Sequence, residues 1–184
     1  MTESRLSSLL RSNGVRDFSF KRVPRDYYET PLESRREILT AHSIDHICKS
    51  IVLVNTQAQA SVTDCSDRNN SKYYVVVVQY TARFNAESVK KFLYSLNNGK
   101  IPKKKFNLRL APEEVSLDLT GYEHNGVTCI GMKTSIPVIL DEAIAKLEPD
   151  FFWLGGGETD LKLGIRTSEF INFVKPFVVD CSNN

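Results

Sequence analysis

The chain has 184 residues, 41% hydrophobic and 25% charged, with a net charge of +2. That length suits one domain able to bury a core without disulfide or metal staples. No apolar run approaches the ~20 residues of a membrane span, and so small a charge marks no general nucleic-acid binder, so any anion site must be local.

Leu6, Leu9 and Leu10 recur at helical spacing over residues 4–12, with Gly14 as the stop. Residues 18–23 alternate and read as a strand ended by Pro24. Thr30 and Pro31 open a short helix over 31–39. Residues 47–54 form an apolar strand interrupted by Lys49, and 58–71 are polar loop. Four consecutive valines within 73–80 predict a strand buried on both faces and hence central in a sheet. Asn85 caps a helix over 86–96, closed by Gly99. The stretch 100–109 is basic, with Lys100, Lys103, Lys104, Lys105 and Arg109 and no acid. A helix follows over 112–119, with Glu113 and Glu114 in its first turn. After the loop 120–131, strands are expected at 136–140 and 151–154. Gly155, Gly156 and Gly157 read as a turn, 161–165 as a strand, and 169–174 as a helix capped by Thr167 and Ser168. Strands and helices mix without strict alternation. The expectation is an α+β fold, one domain over 1–184, with a mixed, partly closed β-sheet or barrel and flanking helices.

Four segments could carry chemistry. The loop 122–131 holds glycines and an asparagine between a helix and a strand. It is either an ordinary connection or a nest of inward-turned N–H groups for a carbonyl, carboxyl or phosphate oxygen. Lys49 either points to solvent or is held inside for an anion. The lysine run is either a solvated loop or a phosphate contact, with Lys103, Lys104 and Lys105 as the contact candidates. His42, His46 and Cys48 resemble part of a metal site. A further ligand could come only from the distant Cys65 or Cys129, so no metal and no other cofactor is expected. The residue types also allow a thiol hydrolase pairing Cys129 or Cys48 with His124 or His46. No Cys-x-x-Cys pair occurs and no apolar signal core follows the first residues, so free thiols in a cytoplasmic chain are expected.

Three motifs in order change the weight of these readings. They are Lys49-Ser-Ile-Val-Leu-Val54, then Thr120-Gly-Tyr122 through Gly126-Val-Thr128, Gly131, Lys133 and Ile136-Pro-Val-Ile-Leu-Asp141, then Gly155-Gly-Gly157. Together they resemble the YbaK/ProX family, aminoacyl-tRNA deacylases related to the editing domain of bacterial prolyl-tRNA synthetases. The likeness runs from about residue 31 to 177.

It implies hydrolysis, in trans, of tRNA mischarged with a small amino acid. It also implies a YbaK-like fold, the tRNA acceptor end as partner, and an aminoacyl-tRNA synthetase as a further partner. On this resemblance Lys49, Gly126 and Thr128 are the catalytic candidates. Tyr122, Asn125, Val127, Cys129, Gly131, Lys133, Gly155 and Gly156 are the substrate-binding ones. The family holds the ester through backbone groups of the glycine loop, and a substrate hydroxyl or thiol assists the attack. This sequence departs from the pattern in places. Asn125 replaces a glycine, Thr128-Cys129 replaces Ser-Pro, and Lys162 stands where cysteinyl-specific relatives carry an acid. The alternative reading is an inactive module that only binds tRNA or a synthetase.

Overall fold

The computed structural model describes residues 1–183. Six helices and ten strands are described: α1 Thr2–Ser12, β1 Phe18–Arg22, α2 Leu32–Leu39, β2 Cys48–Asn55, β3 Tyr73–Gln79, β4 Arg83–Phe84, α3 Ala86–Leu96, β5 Leu108–Leu110, α4 Glu113–Thr120, β6 Val138–Asp141, α5 Glu142–Ala145, β7 Phe152–Glu158, β8 Leu161–Ile165, α6 Thr167–Val174, β9 Phe177–Val179 and β10 Ser182–Asn183. The fold is α+β, as expected. The larger sheet has the order β5-β2-β3-β6-β9, and a second has the order β1-β8-β7. β2 runs antiparallel to β3 and β5, whereas β3–β6 and β6–β9 are parallel. The two sheets touch where Ile47 bridges Trp153, at the start of β2 and the start of β7. They meet along this seam without closing a barrel.

The valine strand lies in the middle of the large sheet, and its side chains explain why. Val75 and Val77 point into a core shared with Leu6 and Leu10 of α1, Phe152 and Leu154 of β7, and Leu163 and Ile165 of β8. Tyr74, Val76 and Val78 point the other way, onto Val89 and Leu93 of α3. Side chains alternate across a strand, so a strand without polar positions must be covered twice. The Asn85 side chain caps α3 by accepting from the N–H groups of Glu87 and Ser88.

One reading needs correction. Gly155, Gly156 and Gly157 do not make a turn; they extend β7, and the reversal comes after Glu158. The reason is tertiary. A Cβ on Gly155 would sit 2.1 Å from the Val127 carbonyl oxygen, and one on Gly156 2.8 Å from the Leu161 carbonyl oxygen. The glycines thus give β7 a bare surface on which another backbone can lie. Two helix starts also shift: Pro31 and Pro112 sit at the caps of α2 and α4, just before the first helical residue. α6 begins at Thr167, with Arg166 as its cap. Among the described residues no helix is long and apolar enough to cross a membrane.

Candidate functional site

The candidate site centres on the loop between α4 and β6. Gly121 ends α4 in the left-handed region, at φ 83°. Tyr122 then turns inward, and its hydroxyl meets the carbonyls of Ile130 (2.7 Å) and Gly131 (2.9 Å). Arg5 of α1 donates to that hydroxyl at 3.0 Å and to the Gly131 carbonyl at 3.1 Å. Asn125 adopts φ 68°, a left-handed conformation that asparagine tolerates better than most residues. Its carbonyl accepts from the Tyr28 hydroxyl at 2.8 Å and from Lys162 Nζ at 3.0 Å. The next residues lie on β7, where the Gly157 N–H donates to the Gly126 carbonyl at 2.9 Å. Among the described residues the N–H groups of Val127 and Thr128 have no acceptor.

This loop forms one wall of a cavity of about 350 Å³ at the seam between the sheets. β2 gives Lys49 and Ser50, β7 gives Trp153, Leu154 and Gly155, and β8 gives Lys162. Tyr27, Tyr28, Arg35 and Tyr80 form another wall. Of the residues singled out in the sequence, Cys48, Lys49, His124, Asn125, Val127, Gly155 and Lys162 line this cavity. Gly126 is pressed against the Glu158 backbone, where a Cβ would come to 2.9 Å. Thr128 is buried behind the wall, and its hydroxyl accepts weakly from the Ile130 N–H at 3.4 Å. Tyr122, Cys129 and Gly131 support the loop from inside, whereas Lys133 is exposed, outside the lining. Gly156 likewise lies beyond the lining, and Lys103 and Lys104 are exposed on a short 3-10 turn with Lys105.

The electrostatics of the cavity are lopsided. Lys49 Nζ lies 5.2 Å from the centre of the Tyr80 ring. Lys162 is 5% exposed, and desolvation lowers its ammonium to about 7. The thiols show the opposite effect. Burial pushes Cys129 up to about 12 and Cys48 well above its ordinary value. Such thiols hold their protons at neutral pH and are poor nucleophiles. His46 is buried, with its charged form disfavoured by desolvation, and its Nδ1 lies 2.7 Å from Ser43 Oγ. Sequence reasoning missed Tyr27, Tyr28, Arg35, Tyr80 and Trp153. It noted Lys162 only as a departure from a pattern. The available signal was a lone lysine inside the apolar strand β8, the same signal that drew attention to Lys49.

The aminoacyl-tRNA editing domain matches residues 39–173. The chain belongs to that family. As an editing domain it is an aminoacyl-tRNA deacylase, which cleaves the ester between an amino acid and tRNA, and the cavity and its glycine-supported loop fall within the matched span. Solved structures share the fold of this editing domain. One, described as a candidate trans-editing enzyme for prolyl-tRNA synthetase, is 19% identical with a TM-score of 0.74, covering 100% of this chain and 98% of its own. A second, from work on grafting linear epitopes onto scaffold proteins, is 16% identical with a TM-score of 0.72, covering 100% and 97%. A third, a hypothetical protein, is 19% identical with a TM-score of 0.69, covering 97% and 99%. No curated protein sequence gives a significant match.

Proposed function

We propose that this editing domain works in trans, as one domain spanning the whole chain, on tRNA carrying a small, wrongly attached amino acid. The acyl ester enters the cavity between β2 and β7. The observation that carries this reading is the loop 125–128, laid on the bare glycine strand with the Val127 and Thr128 N–H groups unused. The Val127 N–H, on the cavity wall, holds the ester carbonyl oxygen. Water adds to the carbonyl carbon, the Val127 N–H stabilises the resulting oxyanion, and the bond to the ribose oxygen breaks as that oxygen takes up a proton. One donor of this kind is worth roughly 3 kcal/mol in the transition state. Lys49 positions the negatively charged tRNA end, and Lys103, Lys104 and Lys105 contact phosphates further along the acceptor stem. An aminoacyl-tRNA synthetase is the proposed partner that hands over the substrate, in the cytoplasm.

A panel of aminoacyl-tRNAs tests the reading. At least one ester of a small amino acid should be cleaved well above the rate in buffer. A panel left wholly uncleaved, with tRNA still bound, would replace the enzyme by a binding module. The thiol hydrolase has no comparable support, because the buried Cys48 and Cys129 thiols are held protonated.

A further inference from the structure

Three cationic side chains line the cavity, and tyrosines rather than acids surround them. The Arg35 guanidinium lies 5.4 Å from the ring centres of Tyr27 and Tyr80 and 5.5 Å from that of Tyr28. Lys162 Nζ lies 4.4 Å from the Tyr28 centre and 5.6 Å from the Tyr27 centre. Lys49 shares Tyr80 with Arg35. Among the described residues none of the three forms an ion pair. Among the described residues the one carboxylate on the cavity wall, Glu113, has a side chain 74% exposed and faces His124 at 3.7 Å.

Lys162 is the most deeply placed of the three. Its ammonium makes one hydrogen bond, to the Asn125 carbonyl, so two of its three N–H donors are unfilled among the described residues. A lysine this buried is rarely found without a partner, and a contact with aromatic rings offsets only part of the lost hydration. Its place in the sheet says where a partner would come from. Lys162 pairs across the strands with Gly155, the residue that bears the Val127 carbonyl, so it stands beside the loop that receives the ester. A group reaching Lys162 is therefore part of the acyl moiety. An aminoacyl ester also brings its own α-ammonium into a cavity already carrying three cations, and a negative side chain offsets that repulsion.

Resting on the deacylase reading of this cavity, we propose that the amino acid removed here is a small acidic one, aspartate or glutamate, with its side-chain carboxylate held by Lys162. The comparison that isolates charge from shape is aspartyl against asparaginyl. Non-hydrolysable 3′-amide analogues of aspartyl-, asparaginyl- and alanyl-adenosine are titrated into the full chain by calorimetry at pH 6.5, and the matching charged tRNAs are assayed for hydrolysis. The aspartyl compound should bind at least about tenfold more tightly than the asparaginyl one, and its ester should be cleaved faster by a similar factor. In Lys162→Met the ratio should fall to about one, and Lys162→Arg should restore part of it. Equal or better binding of the asparaginyl analogue by the wild type overturns the proposal, whether or not either variant folds. Ranked analogue binding without cleavage of any ester leaves the acid-binding pocket standing and removes the deacylase reading. Cleavage without an aspartyl preference does the reverse.

Discussion

Burial lowers the Lys162 ammonium to about 7, against an ordinary value near 10.4 in the unfolded chain. Between these two values the unfolded chain holds a proton that the folded chain has released. Stability therefore rises with pH across that window, by up to about 1.4 kcal/mol per pH unit, and the desolvation cost is fully felt below it. Lys162→Met removes this dependence. Urea unfolding of both proteins from pH 7 to 9.5 should show the wild type gaining on the variant; parallel curves would mean that Lys162 is solvated. Cys129 leads to a different expectation. Its thiol is held at about 12 by burial, so Cys129→Ala should keep at least about half of the wild-type hydrolysis rate, since a protonated thiol is no nucleophile. A loss of several orders of magnitude would point to covalent catalysis. Lys49→Ala should reduce kcat/KM on tRNA by roughly a hundredfold, about 2.7 kcal/mol, with the melting temperature nearly unchanged because its amine forms no ion pair among the described residues.

The contact between the loop and β7 gives a sharper test at the level of elements. A methyl group on Gly155 would occupy the space of the Val127 carbonyl oxygen, 2.1 Å away, and both neighbours are backbone. Gly155→Ala should therefore lift the loop from the strand, costing roughly 1–3 kcal/mol of stability as overpacking does. It should also cut hydrolysis more deeply than analogue binding, because the proposed oxyanion donor, the Val127 N–H, moves with the loop. Normal hydrolysis by Gly155→Ala would dissociate the loop from the chemistry. This contact also shows where the sequence was readable and where it was not. The four valines of β3 and the Asn85 cap of α3 are local signals, and local chemistry sufficed to place both. Three successive glycines carry the local chemistry of a turn, and only a second backbone, 28 residues away in the chain (127 against 155), makes them strand. The two- and three-residue strands β4, β5, β9 and β10 hold too few side chains to show a period, and distant partners define them. The site divides in the same way. Lys49 stands out against its own strand, whereas the wall of Tyr27, Tyr28, Arg35 and Tyr80 is assembled from separate stretches of chain with no common spacing.

At the scale of the whole molecule, a net charge of +2 leaves little general attraction for tRNA, so affinity must come from where the positive charge sits. The turn Lys103–Lys105 leads into β5, which pairs with β2 through Leu110 and Leu53. β2 carries Lys49, and Leu110 and Ala111 reach the cavity lining. One continuous segment therefore runs from the lysine turn to the mouth of the cavity. Lys103 Nζ lies 5.0 Å from the centre of the Tyr94 ring on α3, which gives the turn a fixed anchor. A tRNA whose terminal ester lies in the cavity can then place its acceptor-stem phosphates along this segment. Each phosphate neutralised adds about 0.7–0.9 to the slope of log affinity against log salt. Replacing Lys103, Lys104 and Lys105 together by alanine should weaken binding of full-length tRNA and flatten that slope by roughly 2. It should leave cleavage of a short aminoacyl-adenosine ester nearly unchanged, since that substrate has no acceptor stem to lose. An unchanged slope would place the acceptor stem elsewhere on the surface, and an equal loss on the short ester would mean that the turn supports the cavity rather than the tRNA.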